Sequence, residues 1–376
     1  LAPAVESWLA KGDLLWANPS SQHQRGKRAQ AALDTARRSL YTFFGFNDKT
    51  HSLTYHSGAT EGINTFVLGH WLKAASSGNS LLYIYSPLDH ACSRLQAARL
   101  KGLGFATVEL LIDRQGNLQL EESIQAINEA RARVSGDVLM NYTWVHNETG
   151  VVWPLDWART IKERTQCIVH VDAAQAIGKV ANCWELLTEL DMYSFSSHKC
   201  GALRGHGWSF TRKDYTAWPL ILGGGQQESS RSGTENVLAA LALNVALDEM
   251  KQHWKPAEQL VWITELRGFM DEALQGKGER VAREARELNL NTVMFVIDAL
   301  PSDMSLPLFD LAGLEVSAGA ACSSGAAKPN HILESLAFKD RTKNGLRLST
   351  SWSFSSQQWN ELRPRLKAVL EKLPRK

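Results

Sequence analysis

The sequence predicts a mostly parallel, doubly wound α/β sheet in a large domain, followed by a smaller α+β C-terminal domain. Three observations predict it. Short apolar runs alternate with amphipathic stretches from residue 52 to residue 211, the pattern of strands joined by crossover helices. The 376 residues are too many for one small core and fit a large domain plus a smaller one. Hydrophobic residues make up 44% and charged residues 21%, as in an ordinary globular chain, and there is no internal repeat or low-complexity linker.

Taken in order, residues 25–44 read as a helix, with Ala29, Ala32, Leu33, Ala36 and Leu40 at helical spacing. Buried strands are expected at 52–56, 81–86, 106–111, 137–144, 167–172, 191–196 and 207–211, with amphipathic helices between several of them, as at 89–101 and 120–134. A long helix is expected over 236–275. Strands at 291–298 and 345–350 and a helix at 356–373 complete the smaller unit. The large domain is placed at 16–249, and the small one at 1–15 together with 250–376. In a doubly wound sheet ligands bind beyond the carboxyl ends of the strands, so the chemistry is sought just after each apolar run.

Charge and composition exclude several classes. A formal net charge of +2 gives no basic field for nucleic acid or a membrane surface. No apolar run is long enough to span a bilayer, and "LAPAVESWLAKGDLL" lacks the basic start and apolar core of a signal peptide, so a cytoplasmic protein is expected. The five cysteines (Cys92, Cys167, Cys183, Cys200, Cys322) are odd in number and form no C-x-x-C pair. Free thiols in a reducing compartment are expected, with no disulfide framework and no metal site.

Four segments carry candidate chemistry. After the first strand, Ser57-Gly58-Ala59-Thr60 opens a helical pattern, and such a turn offers backbone N–H groups to a phosphate. On its own it reads as an ordinary capped turn, and neither G-x-x-x-x-G-K-[ST] nor G-x-G-x-x-G is present. In "CIVHVDAAQAIG", Asp172 ends an apolar strand and Gln175 follows. The carboxylate could cap the next helix or pair with a cationic ring nitrogen, and both readings stay open. In "SFSSHK", Lys199 follows another strand. Alone it reads as a solvated lysine. A phosphate loop, a strand-end Asp and a strand-end Lys, in that order, are nevertheless the parts that pyridoxal 5′-phosphate (PLP) requires. Finally, "EVSAGAACSSGAA" (315–327) reads as a loop of small residues around Cys322. A thiol there is a candidate nucleophile or an incidental exposed cysteine, whereas Cys167 sits in an apolar strand.

These segments resemble the cysteine desulfurases of the NifS/IscS type, within the class V aminotransferase group of PLP enzymes. The resemblance runs through "NPSSQHQRG", "SGATEGIN", "VHNETGVV", "HVDAAQAIGK", "SFSSHK", "GGGQQESSRSGTENV", "AGAACSSG" and "LRLS". It implies a PLP-dependent aminotransferase-like fold, a homodimer, and L-cysteine converted to L-alanine with a persulfide on Cys322. The sulfur would pass to an acceptor protein, as in iron–sulfur cluster biogenesis. It also implies roles. Lys199 would hold PLP as a Schiff base and move the Cα proton, Asp172 would pair with the pyridine nitrogen, and Gln175 would bond the ring hydroxyl. His90 would lie on the ring and assist proton transfer, accepting the proton of Cys322. Ala59, Thr60, Ser196 and His198 would hold the phosphate, joined by Thr234 from the partner subunit. Asn147 and Arg347 would bind the substrate carboxylate. The chain departs from the family at Ser197, where glycine is usual, at His146, where asparagine is usual, and at "CGALRGHG" after the lysine. A cysteine or cystine C–S lyase or a selenocysteine lyase, also PLP-dependent, is the rival enzyme reading. A non-catalytic scaffold is the rival from another class.

Overall fold

The computed structural model describes residues 1–11, 17–214, 217–319 and 329–375. Helices α1 (Pro3–Ala10) and α2 (Gln24–Phe44) lead into β1 (His51–His56). The chain then alternates through α3 (Ala59–Ser76), β2 (Leu81–Tyr85), α4 (Ala91–Gly102), β3 (Ala106–Glu109), α5 (Leu120–Arg131), β4 (Asp137–Thr143), α6 (Leu155–Thr165) and β5 (Ile168–Asp172). A tight turn at Ser197–Cys200 follows β6 (Met192–Ser196) and precedes β7 (Gly207–Arg212). Beyond these come α7 (Val237–His253), α8 (Pro256–Ala273), β8 (Gly278–Arg280), β9 (Thr292–Ile297), α9 (Ser302–Asp310), α10 (His331–Ser335), β10 (Gly345–Ser349) and α11 (Ser356–Lys372).

The first seven strands form one sheet in the order β1-β7-β6-β5-β4-β2-β3. Every pair from β3 across to β6 is parallel, and β7 runs antiparallel to both β6 and β1. The doubly wound, mostly parallel sheet is therefore present. The antiparallel member has a simple cause: the segment between β6 and β7 contains only a tight turn, and a parallel neighbour would need a long crossover. Strands β2, β4, β5 and β6 are buried almost throughout, which is why they read as apolar runs rather than alternating ones.

The order reverses between β2 and β4, since β2 is followed by β3 on one side and β4 returns to its other side. Such a switch point opens a crevice at the carboxyl ends of the strands. A second sheet, β10-β9-β8, is antiparallel throughout, with β9 wholly buried. One continuous apolar core joins the two sheets. Trp144, Trp153, Trp208, Trp262 and Trp359 are fully buried within it, so these tryptophans serve packing.

The helix expected over 236–275 is two helices. Pro256 lacks an N–H and forces Lys255 out of the helical region (φ −124°, ψ 88°), so α7 stops at His253 and α8 starts afresh. No helix of the described residues is long and apolar enough to cross a membrane.

Candidate active site

Three groups of turn residues meet at the carboxyl edge of the large sheet. The first follows β1. Gly58 precedes α3 in an extended conformation, and no side chain caps the helix. Among the described residues, the Ala59 and Thr60 amides have no acceptor. Gly207 starts β7 directly beneath: a Cβ there would stand 2.7 Å from Gly58 Cα, so only glycine lets the two backbones come this close. Gly207 also pairs with Ser196 across β6. That register brings Ser196 and His198, whose side chains bond each other at 3.1 Å, to the other side of the same glycine. Free helix-start amides beside a hydroxyl and an imidazole suit a phosphate.

The second group, from the turns after β5 and β6, carries the charge pair. Asp172 is buried at the end of β5, and Oδ1 accepts a 3.0 Å bond from Ala174 N–H. Burial pushes its carboxyl up to about 6, against the pull of that N–H and of the Lys199 charge. Lys199 stands in the turn after β6. Partial desolvation and then the Arg347 charge lower its pKa, with Asp172 opposing. Two contacts fix this turn. Lys179 Nζ lies 3.4 Å from the Lys199 carbonyl, and Ala2 N–H donates at 2.8 Å to the carbonyl of Gly201, which has φ +95°. Burial, followed by the Lys199 charge, brings Lys179 down to about 7. Cys200 is fully buried, its thiol donates to the Ser197 carbonyl at 3.1 Å, and burial pushes it up to about 12. Gln175 follows Asp172, half-buried.

The third group fills the switch point. Buried Asp89, after β2, accepts from Thr143 Oγ1 (2.6 Å), Ser93 Oγ (2.6 Å), Asn141 Nδ2 (2.8 Å) and Ser86 N–H (3.2 Å). The chain of bonds continues from Asn141 Oδ1 to His170 Nδ1 (2.8 Å), and from His170 Nε2 to Ser194 Oγ (2.8 Å). Burial takes His170 down to about 3, so it is neutral there. Nδ1–H then donates to Asn141, and Nε2 accepts from Ser194. A Cβ on Gly62 of α3 would collide with that Ser194 hydroxyl, so the helix and this polar row are fitted to each other. His90 caps α4 next door. Its Nδ1 accepts from the Cys92 backbone N–H at 3.3 Å and lies 3.0 Å from Cys92 Sγ.

The far side is formed by Arg347 on β10. Its Nη1 donates to the Asn147 carbonyl at 3.0 Å, and its Nε is buried with no acceptor among the described residues. Its main chain pairs with Ser317 in both directions, at 3.0 and 2.7 Å, where the small-residue segment begins. At the other end of that segment, Asn330 Nδ2 donates to buried Glu148 at 2.7 Å, while its Oδ1 caps α10. His146 packs edge-on against Trp153 in the core, with ring centroids 4.4 Å apart. Thr234 is exposed. Cys322 lies outside the described residues.

The structure thus brings Ala59, Thr60, His90, Asn147, Asp172, Gln175, Ser196, His198, Lys199 and Arg347 to one edge of the large sheet. Asp89, Cys92, Glu148, Lys179 and Asn330 were not singled out from the sequence. The signal for the polar row was present as Asn141, His170 and Ser194, single polar residues within three adjacent apolar strands. One expectation changes. The Cys92 backbone N–H can only donate, so the arrangement seen favours a neutral His90 with its lone pair on Nδ1 and its proton on Nε2. It therefore presents a donor, and accepting the Cys322 proton would require the ring to give up its Nδ1 partners.

The residues fit PLP: uncapped helix amides for a phosphate, a buried strand-end carboxylate that needs a cationic partner, and a lysine of lowered pKa. Such a set on a doubly wound sheet defines a PLP-dependent enzyme. The chain belongs to the class V aminotransferase family, whose model matches residues 13–355. A cysteine desulfurase of Cereibacter sphaeroides is 31% identical over 363 residues, covering 95% of this chain and 90% of that protein. One from Gluconacetobacter diazotrophicus is 30% identical over 339 residues, covering 89% and 81%. Among solved structures, a NifS-like protein superposes with a TM-score of 0.83 over 99% of this chain and 96% of that one, at 23% identity, a likeness of fold.

Proposed function

We propose that the protein is a PLP-dependent cysteine desulfurase that converts L-cysteine to L-alanine and leaves a persulfide on Cys322 for transfer to an acceptor protein. The observation that carries this reading is the half-buried Arg347 guanidinium, whose buried Nε has no acceptor among the described residues and which lies close enough to depress Lys199. It is a seat for an amino-acid carboxylate beside the amine that works on Cα, in a chain whose relatives are cysteine desulfurases.

PLP, when bound, supplies an electron sink for charge left on the substrate Cα. The chain's own residues do the rest. The Ala59 and Thr60 amides, with Ser196 and His198, hold the phosphate. Asp172 offers its carboxylate to the ring nitrogen, and Gln175 bonds the ring hydroxyl. Arg347 and Asn147 hold the substrate carboxylate. Lys199 Nζ takes the Cα proton, and its lowered pKa keeps a free amine accessible. Cys322 Sγ forms the new S–S bond as the substrate C–S bond breaks. The sulfur leaves as Cys322–S–SH, and the thiol hydrogen ends, in net balance, on the methyl group of alanine. His90 presents Nε2–H. Thr234, exposed here, completes the phosphate site of a second copy in a homodimer, and the buried free thiols suit a cytoplasmic protein.

A product assay with L-cysteine and a reductant tests the reading: alanine and sulfide should appear in equal amounts. Pyruvate with ammonia would instead indicate an eliminating lyase, and the lack of a visible-range cofactor band after adding PLP would indicate a scaffold. Cys322→Ala should keep the cofactor band and lose the persulfide. Desulfuration that survives in that variant would overturn the choice of nucleophile.

A further inference from the structure

Cys92 is the one thiol among the described residues that is not fully buried, and it stands at the site rather than in the core. It follows His90 by two residues in the first turn of α4. Its Sγ lies 3.0 Å from His90 Nδ1, and its backbone N–H donates to the same nitrogen at 3.3 Å. The Thr60 hydroxyl interacts with the sulfur. Burial, then the Asp172 and Asp89 charges, push the thiol far above its ordinary range, so Sγ keeps its proton and is a donor.

We propose that Cys92 is a positioning residue for the desulfuration reaction: its S–H and N–H together fix His90 Nδ1 as an acceptor and so present Nε2–H to the substrate side. Two donors converge on one lone pair. A shift of the proton to Nδ1 would set donor against donor, and a ring flip would put Cδ2–H where the acceptor stood, so one tautomer and one ring face are selected. The thiol also favours the neutral ring. It acts alongside the charges around His90: Lys199 from the turn after β6 and Arg94 from α4 disfavour the imidazolium, and Asp89 and Glu148 favour it. From α10, His331 interacts with His90 as well. The sequence holds this device in the three residues His90-Ala91-Cys92.

The proposal rests on the desulfurase reading for its consequence but not for its test. In the full-length, PLP-loaded protein, imidazole nitrogen NMR with 15N-histidine reads the His90 tautomer directly, with His90→Ala supplying the assignment. Wild type and Cys92→Ser should both show His90 protonated on Nε2. Cys92→Ala should show a mixed tautomer and an imidazole pKa raised by about half a unit, the worth of one weak neutral hydrogen bond. The His90-dependent limb of the desulfuration pH profile should move by the same amount and return in Cys92→Ser. An Nδ1–H tautomer in the wild type, an unchanged tautomer in Cys92→Ala, or no rescue by serine would each overturn the proposal. A wild-type protein that shows the expected tautomer but makes no alanine would overturn the desulfurase reading instead.

Discussion

Replacing Arg347 by lysine should weaken the hold on L-cysteine while leaving the chemistry largely intact. The guanidinium spends one N–H on the Asn147 carbonyl at 3.0 Å, and its Nε is buried without an acceptor among the described residues. A buried donor left unpaired costs about 1–3 kcal/mol. A substrate carboxylate that accepts from Nε and an adjacent N–H relieves that cost and adds a charge-assisted, two-point contact. Lysine keeps the charge but offers a single point donor in place of the planar fork. The expected loss is about 1.5–3 kcal/mol of binding, or a rise in KM of about 10–150-fold, with kcat falling less than about fivefold. The assay is alanine release against L-cysteine concentration under reductant, with cysteamine, which lacks the carboxylate, as comparison. Wild type and Arg347→Lys should bind cysteamine equally. An unchanged KM for cysteine, or an equal loss for cysteamine, would refute the assignment of Arg347 to the carboxylate.

Two further predictions follow from buried groups. Burial raises Asp89 from 3.8 to about 6 in the folded chain. The folded state therefore holds this proton more tightly, and the associated stability is fully present below pH 3.8 and lost as pH rises through 6, a change of about 3 kcal/mol. Asp89→Asn removes that dependence, so urea unfolding at pH 4 and pH 8 should show the variant gaining about 2.5 kcal/mol on the wild type at the higher pH, and a pH-independent difference would count against it. Cys200→Ala should lose about 1–2 kcal/mol of stability from its buried position and retain desulfuration. A folded, PLP-loaded but inactive Cys200→Ala protein would mean that the reactive thiol had been assigned to the wrong cysteine.

The large sheet was legible because its central strands are covered on both faces, and so appear as bare apolar runs that end at the residues of interest. Lys199 and Asp172 were found that way. The remainder was hidden for specific reasons. Pro256 interrupts a helical pattern whose periodicity continues beyond it, and β8 is only three residues long, too short for any period to show. Asp89 drew no notice at the start of the 89–101 stretch, because the partners that make it a hub, Asn141 and Thr143, are supplied by a strand about fifty residues later. The resemblance implied a proton-accepting role for His90. The donor role proposed above depends on where the Cys92 backbone N–H and thiol lie against its Nδ1, which spacing does not encode.

Strand β10 places a cation between two leucines: Leu346 and Leu348 are buried on either side of Arg347. Its pairing opposite Met294 of β9 is therefore a selector switch with two settings. In the observed setting the guanidinium reaches the Asn147 carbonyl, and the same residue's backbone anchors Ser317. Shifted by one residue, the strand would offer a leucine to the carboxylate and carry the charge into the apolar core. A one-residue insertion within β10 ahead of Arg347 would then turn the guanidinium to the other face without touching the residues after β1, β5 and β6, so the carboxylate seat proposed above is held partly in the alignment of a small sheet.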